Sequence, residues 1–581
     1  MVTGTLPFRG ESSAVIFKAI LDGAPTSPVR LNPGVPAELE RIINKLLEKD
    51  RDLRYQSATE LRADLKRLKR ETESSRSVAA APAATERASG RKYGVMAAAV
   101  LLVAAAAGIW YWRSRASAPQ IESIAVIPFA YSGGNADGDF LSDGLTESLI
   151  ASLTHVPELK VKSRNSVFRY KGKDVDAQKV GKELTVDALL TGRVVQHGDT
   201  IQVSADLTNV QDNTEIWGEQ YERKASEIIP LQQQIAGDIA NKLRSKLSGA
   251  EKQQVTKQGT QNPEAYQLYV KGRYHWNKRT AADLKTGISY FNQAIDKDPG
   301  YALAYAGLAD SYLVLSSHED PSDMLPKSKA AAEKALELDP TLARPHANLG
   351  AYKSQYSWDF SGAEAEFRKA LELDPSDATA HQWFSQHLSC IGGRAQESIE
   401  EGNRARQLDP LSLAVGWSQA DAYSYDGQFE RANELFEKLI ADNPTAGGPH
   451  WEYATSNWAQ HKYPQTVHEY AVAGQLLGNK DMAEFAVALD AGFHSGGWPG
   501  ALRKGIEASL AQRKAKNGYV SPYLIANLYA DLGDKDHAFE WLDTAYKEHD
   551  PFMRALRVDP TFKSLRSDPR YGELGWKIGF P

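Results

Sequence analysis

The chain has 581 residues but only one cysteine, Cys390. A single thiol forms no internal disulfide, so packing must stabilise the folded parts. A lone cysteine in a helical stretch is expected to fill a small core position rather than to act as a nucleophile. The sequence also contains no H-E-x-x-H or C-x-x-C string. We therefore expect no catalytic residues, no metal site and no cofactor.

Net charge is also small. Lysine and arginine total 68 against 74 aspartate and glutamate, a formal charge of −6. A balance this close to neutral gives no reason to expect a nucleic-acid partner. Hydrophobic residues make up 42% of the chain and charged residues 24%, which is typical of globular material rather than disorder. The length predicts several domains.

Long hydrophobic runs are scarce, with one exception at residues 93–112. These twenty residues carry no charge, and as a helix they would cover about 30 Å, the thickness of one hydrocarbon core. Basic residues are more frequent before the run than after it, which predicts a cytoplasmic N-terminus and an extracytoplasmic C-terminal part. The expected localisation is therefore a single pass through the cytoplasmic (inner) membrane. A buried core helix is the alternative.

Residues 1–70 are expected to be helical, and a flexible linker should occupy 71–92. The strings T-G-T-L-P-F-R-G at 3–10 and L-E-K-D-R-D-L-R-Y-Q-S-A at 47–58 resemble the end of the C-lobe of bacterial serine/threonine protein kinases. In that family the arginine that matches Arg54 pairs with the glutamate closing the activation segment, so the resemblance implies a structural role for Arg54. The glycine-rich loop, the strand lysine and the H-R-D and D-F-G strings are absent from 1–70. We therefore expect this chain not to be an enzyme, and favour a late gene start over a true truncation.

Residues 121–248 alternate strand and helix signals, with a hairpin expected at 197–199. The order predicts an α/β domain. The strings I-A-V-I-P-F at 124–129 and L-S-D-G-L-T-E-S-L-I at 141–150 resemble TolB-like, or FlgO-like, modules of bacterial envelope and sensor proteins. That resemblance implies a binding or structural module without catalysis.

A recurring proline marks the rest of the chain. Asp-Pro occurs at 298–299, 339–340, 374–375 and 409–410, and Asn-Pro follows at 443–444. A period near 34 residues predicts helix pairs, and the segment 264–555 resembles the tetratricopeptide (TPR) family, with 556–581 as its cap. The first interval is longer than the others, which predicts a loop insertion at 317–324. Such arrays present a groove for polypeptides, and its candidate residues are Trp383, His387, Trp417, Trp451 and Trp458.

The predicted fold class is thus multidomain: a small all-α kinase C-lobe remnant, one membrane helix, an α/β TolB-like domain and an all-α TPR solenoid. We expect a membrane-anchored sensor or scaffold, the non-catalytic half of a serine/threonine kinase receptor. Proteins or peptides, the membrane and a second copy of the chain are its expected partners. Two alternatives stay open, namely an active kinase at the full-length locus and an envelope-assembly TPR protein.

Overall fold

The computed structural model describes residues 27–32, 35–48, 55, 60–62, 64–68, 121–133, 138–156, 158–243, 248–249, 259–515 and 519–580. The chain divides into two compact units, 1–117 and 118–581. Three of the predicted features lie outside the described residues: Arg54, the linker at 71–92 and the apolar run at 93–112.

The described part of the first unit is helical. Helix α1 spans Pro28–Leu31 and α2 spans Ala37–Leu46, and residues 60–62 and 64–68 are also helical. Ile42 is buried on the apolar face of α2. Lys45 pairs with Glu60 at 2.8 Å. The amphipathic helix predicted after Pro36 is therefore present.

The predicted fold class and localisation each included a membrane helix, and both require correction on this point. Within the ranges that the structure describes, no helix has both the length and the apolar composition needed to cross a bilayer. The longest of them, Lys480–Ala515, carries charged side chains and departs from helical backbone angles at Gly496 and Gly497. Such a helix would place charge and unsatisfied backbone groups in hydrocarbon.

The second unit begins with a mixed sheet, and we refer to residues 121–243 as the sheet module. Its elements are β1 (Ser123–Val126), β2 (Ala130–Ser132), α3 (Gly138–Thr154), β3 (Lys160–Val161), α4 (Arg164–Phe168), α5 (Ala177–Leu184), β4 (Ala188–His197), β5 (Thr200–Asn209), β6 (Glu215–Lys224) and α6 (Ile228–Leu243). The strand order is β3-β1-β4-β5-β6, and β2 also pairs with β4. Strands β1 to β4 pair in parallel, whereas β4, β5 and β6 are antiparallel.

Burial explains this arrangement. The parallel strand β1 has three consecutive buried residues, whereas β5 alternates buried and part-exposed positions, as an antiparallel strand with one covered face does. On α3 the side chains of Leu145, Leu149 and Leu153 recur every four residues, and all are fully buried. The predicted hairpin joins β4 to β5, with His197 paired to Thr200. Gly198 adopts φ +59° there, a value that favours glycine.

Helix pairs follow, and we call residues 263–578 the repeat array. In the described ranges the first helices of the pairs, the A helices, are α7 (Pro263–Lys278), α9 (Ala302–Leu315), α11 (Ala343–Tyr352), α13 (Ala378–Ile391), α15 (Leu413–Tyr425), α17 (Gly447–Ala459) and α20 (Pro522–Leu532). Their B helices are α8 (Ala281–Lys297), α10 (Pro321–Leu338), α12 (Phe360–Leu373), α14 (Ala395–Leu408), α16 (Phe429–Asp442), α18 (Tyr463–Leu476) and α21 (Lys535–Lys547). One more pair comes from α19 (Lys480–Ala515), which is kinked at Gly496–Gly497, and α22 (Pro569–Ile578) closes the array.

Large side chains on B helices fill gaps that small residues leave on A helices. Phe291 of α8 is fully buried, and a Cβ added at Gly272 or Gly307 would lie 2.6 or 2.5 Å from its ring. Phe367 of α12 stacks on Phe384 of the next A helix at 5.6 Å. These contacts join successive pairs into one continuous core.

The recurring Asp-Pro ends the first four B helices, α8, α10, α12 and α14. Proline disfavours helical backbone in the residue before it, and Asp298, Asp339 and Asp374 are accordingly extended, with φ between −139° and −146°. The loop insertion expected at 317–324 is present only in its first half, because residues 316–320 connect α9 to α10 whereas residues 321–324 are helical. Most of the extra residues lengthen α10, which begins at Pro321 because proline is favoured in the first helical turn.

The end of the chain folds back onto the middle of the array. The ring of His549 stacks on Tyr356 at 4.2 Å and on Trp358 at 5.2 Å. Met553 and Phe562 are buried in the same apolar cluster as Trp358. The last residues therefore cover more than the terminal helix pair.

A salt bridge between neighbouring pairs gives a test of this packing. Arg394 donates to Glu364, with Nη2 and Oε1 3.1 Å apart, and this hydrogen bond lowers the pKa of Glu364 to about 2. A carboxyl with a lowered pKa stabilises the fold above pH 4.5 and loses that contribution as the pH falls towards 2. We expect Glu364→Gln to lower the free energy of unfolding at pH 7 by about 1 kcal/mol, since the pair is partly exposed. Urea unfolding at pH 7 and pH 3 measures this, and the difference from wild type should shrink at pH 3.

The matched control is Glu372→Gln. Glu372 belongs to the same helix and pairs with Lys369, but its side chain is 70% exposed. We expect no measurable change in this variant. Equal unfolding curves for the two variants would contradict the assigned role of Glu364.

Candidate protein-binding surface

The first contact between the sheet module and the repeat array lies along α3 and α7. Gly144 of α3 faces Val270 of α7, and a Cβ at that glycine would lie 2.4 Å from the valine side chain. Phe140 meets Tyr274 edge to face at 4.8 Å. The hydroxyls of Ser148 and Tyr266 are 2.9 Å apart. The two helices therefore pack closely, with little space for water between them.

A second contact lies four helix pairs along the array. Ser166 Oγ donates to Asp409 Oδ1 at 2.6 Å, and Lys162 Nζ donates to the Gln407 carbonyl at 3.2 Å. Leu411 packs against the core of the sheet module. Burial raises the pKa of Asp409 although the Ser166 hydroxyl stabilises its charge. The sheet module thus bridges α7 and the turn between α14 and α15.

Between these contacts lies a charged network. Arg273 Nε donates to Glu147 Oε1 at 2.6 Å and its Nη1 donates to Asp310 Oδ2 at 3.1 Å. Arg164 donates to the other oxygen of Glu147 at 3.1 Å, and Asn348 Nδ2 donates to Asp310 Oδ1 at 3.1 Å. Burial tends to raise the pKa of Glu147, but the charges of Arg273 and Arg164 outweigh it and hold that pKa below its usual value. The network links the module to the first three A helices.

Reasoning from the sequence missed this network. One signal was available, because positions 273, 310 and 348 are each about one repeat apart on successive A helices. Polar residues at equivalent places of adjacent repeats are expected to meet. Glu147 gave no such signal, because it lies on α3 of the sheet module, outside the repeat array.

Three of the predicted groove residues form a row. Trp383, Trp417 and Trp451 lie on α13, α15 and α17, and 34 residues separate each from the next, so they occupy equivalent places on adjacent helices. All three are half-buried. Trp417 lies against α17, where a Cβ at Gly448 would be 2.8 Å from its ring. We call these three side chains the tryptophan row, and their binding role stays a prediction.

The other two predicted residues are interior. His387 is fully buried, its Nδ1 lies 2.9 Å from Ser354 Oγ, and burial lowers the pKa of the ring to about 4. Trp458 is 4% exposed and donates from Nε1 to Asp531 at 2.8 Å. The structure does not bring these two side chains to the tryptophan row.

The helices that carry the row also carry an exposed tyrosine and two carboxyl groups. Tyr425, the last residue of α15, keeps 42% of its surface exposed. Burial raises the pKa of Glu452 on α17 to about 7, and burial followed by the charge of Glu452 raises that of Asp421 on α15. A positively charged partner would relieve this proximity of two carboxyl groups. Within the described ranges, no group of His, Cys, Asp and Glu side chains is arranged to hold a metal ion.

Parts of this chain are similar to known signalling proteins. The family description "HilA/YgeH-like transcriptional regulator, second domain" matches residues 120–237. The Rhizobium meliloti (strain 1021) protein named "Putative adenylate cyclase 3" is 31% identical over 236 residues, 40% of this chain and 40% of that protein. "Transcriptional regulator HilA" of Salmonella paratyphi A is 22% identical over 30% of this chain and 33% of its own length. The chain therefore spans less than half of these relatives, and the TolB-like resemblance finds no support among them.

Kinase similarity is confined to a short stretch. "Serine/threonine-protein kinase PrkC" of Bacillus subtilis (strain 168) is 41% identical over 66 residues, 11% of this chain and 10% of that kinase. Among solved structures, yeast Tom70 gives a TM-score of 0.33 at 15% identity, with 75% of this chain and 84% of Tom70 covered. A score this low does not establish a common fold. The chain thus combines a short kinase-like stretch with a TPR-like array.

The charged network yields a second test. We expect Glu147→Gln to lower the free energy of unfolding by about 3 kcal/mol, because it leaves two largely buried arginines, each 16% exposed, without their shared carboxylate. Urea unfolding measures the loss, and hydrogen exchange should show that α3 and α7 lose protection first. Glu430→Gln, at an exposed place on α16, is the control and should leave both unchanged. Wild-type stability in Glu147→Gln would show that the network is not needed for docking.

Proposed function

We propose that the repeat array is a protein-binding scaffold whose ligand is an extended polypeptide segment held against the tryptophan row. The observation that carries this proposal is the spacing of Trp383, Trp417 and Trp451 on three adjacent A helices. Tryptophan is enriched among the residues that dominate protein interfaces, because a large rigid ring buries much surface at little entropic cost. A row at repeat spacing suits a chain that crosses several helices.

Two carboxyl groups indicate the composition of the ligand. Asp421 and Glu452 lie on two of the three helices that carry the tryptophans. Burial favours the protonated form of both groups, and a lysine or arginine in the bound segment would favour their ionised form and pair with them. The proposed ligand is therefore a basic segment, bound with micromolar affinity, around −8 kcal/mol.

The comparisons support a place in signalling. The relatives that match parts of the chain are named as a cyclase, a transcriptional regulator and a kinase, which are three different activities. We infer that the sheet module and the repeat array form a recognition unit that can be joined to such activities. In this proposal the module fixes the first helix pairs, and the later pairs receive the partner.

Site-specific crosslinking tests the proposal. A photo-crosslinking amino acid replaces Trp417 in the full chain in cells, and mass spectrometry identifies the crosslinked peptides. We expect basic polypeptide segments to be captured. Trp383→Ala combined with Trp451→Ala should reduce the capture at least tenfold, because two anchors are lost.

Trp576 provides the control for this experiment. It is 85% exposed on α22 and lies outside the tryptophan row. The same crosslinker placed there should capture none of those segments, and Trp576→Ala should leave capture at position 417 unchanged. Thermal unfolding establishes that the variants remain folded. Equal capture at the two positions would refute the tryptophan row as the binding surface.

A further inference from the structure

Four arginines gather near the contact of the sheet module with the first A helices. We call Arg164, Arg273, Arg279 and Arg344 the arginine cluster. Arg164 and Arg273 both pair with Glu147, and Arg273 also pairs with Asp310. Arg344 Nη2 pairs with Asp377 at 3.1 Å. Arg279 has no carboxylate within ion-pair distance among the described residues, so it is the member of the cluster without an anionic partner.

The Arg279 side chain occupies a defined position although it has no anionic partner among the described residues. It follows the last residue of α7 with φ +60°, and its guanidinium lies 3.6 Å from the centre of the Trp276 ring. The Arg273 guanidinium lies over the same ring at 4.2 Å. Burial lowers the pKa of Arg279 to about 9; the charge of Asp310 opposes this shift, and those of Arg273, Arg344 and Arg164 add to it. The four guanidiniums are therefore near enough to repel each other.

Two side chains that contact or belong to the cluster carry buried donors without a partner. Trp276 is 4% exposed, and its Nε1 has no hydrogen-bond partner. Arg344 Nη1 is also buried without a partner. Buried donors are normally satisfied, and an exception calls for a missing acceptor. The donors come from different side chains, so one acceptor atom is not enough.

Solvent reaches this cluster. The side chains of Arg164 and Arg273 each keep 16% of their surface exposed, and that of Arg344 keeps 26%. These three side chains are therefore not sealed in a dry core.

We propose that the arginine cluster binds a phosphoryl group, with Arg279 as the main ligand and with Trp276 and Arg344 as further donors. A phosphoryl group brings negative charge and three acceptor oxygens that point in different directions from phosphorus. It can therefore accept hydrogen bonds from donors on several sides. A carboxylate offers two oxygens in one plane, which fits three separate donors less well. The bound group would neutralise the excess cation and join the sheet module to the repeat array through Arg164 and Arg273.

Calorimetry and thermal unfolding of the full 581-residue chain test this proposal. Inorganic phosphate, pyrophosphate, ATP and citrate are titrated at constant ionic strength. We expect phosphate or pyrophosphate to bind and to raise the melting temperature by several degrees, by mass action. ATP bound at least tenfold more tightly than pyrophosphate identifies a nucleotide as the source of the phosphoryl group, and equal affinity identifies free phosphate. Tighter binding of citrate than of any phosphate, or binding of none, overturns the proposal.

Variants separate binding from packing. Arg279→Gln should reduce phosphate affinity at least tenfold while raising the melting temperature of the ligand-free chain, because an unpaired buried cation is removed. A side chain that served only to stack on Trp276 would give the reverse: a lower melting temperature and unchanged phosphate affinity. Trp276→Phe keeps an aromatic ring for the guanidinium but removes the donor, so it should weaken phosphate binding; because Trp276 is 4% exposed, the smaller ring should also lower the melting temperature. Arg193→Gln, at an exposed place on β4, is the control and should change neither quantity.

Discussion

The fit of a large side chain into a notch left by small ones is the interaction on which the rest of this structure depends. One helix pair cannot bury both of its apolar faces, so Phe291 needs Gly272 on one side and Gly307 on the other. The same fit places successive A helices side by side. Only then do residues one repeat apart, such as those of the tryptophan row, become neighbours on one surface.

Charge is the second constraint, and it acts between folds rather than within one. Arg273 is held by a carboxylate of the sheet module and by Asp310 of the next A helix, so it joins both. Burying such a group is costly unless every partner is present, which makes docking specific to one arrangement. The contact at Asp409 then fixes the module to the later pairs. Together the two contacts hold the first half of the array to the module.

Periodic features were predictable, and features that depend on partners were not. The helix pairs, the hairpin at Gly198 and the leucine face of α3 follow from local spacing, which needs no tertiary information. The expected loop insertion was wrong from residue 321 onwards, because proline is favoured in the first helical turn and Pro321 begins α10. The predicted fold class and localisation were wrong in including a membrane helix, because none of the described helices could cross a bilayer. The binding role of the tryptophan row is still a prediction.

The Asp-Pro motif shows what the sequence alone determines and what depends on tertiary structure. It determined where the first four B helices end, because proline disfavours helical backbone in the residue before it. At Asp298, Asp339 and Asp374 the carboxylate accepts from the backbone N–H two residues later, which is a local contact. At Asp409 the same side chain is buried and accepts from Ser166 of the sheet module. The motif determines the local backbone geometry, whereas the contact of Asp409 with Ser166 depends on the tertiary packing of the sheet module against this turn.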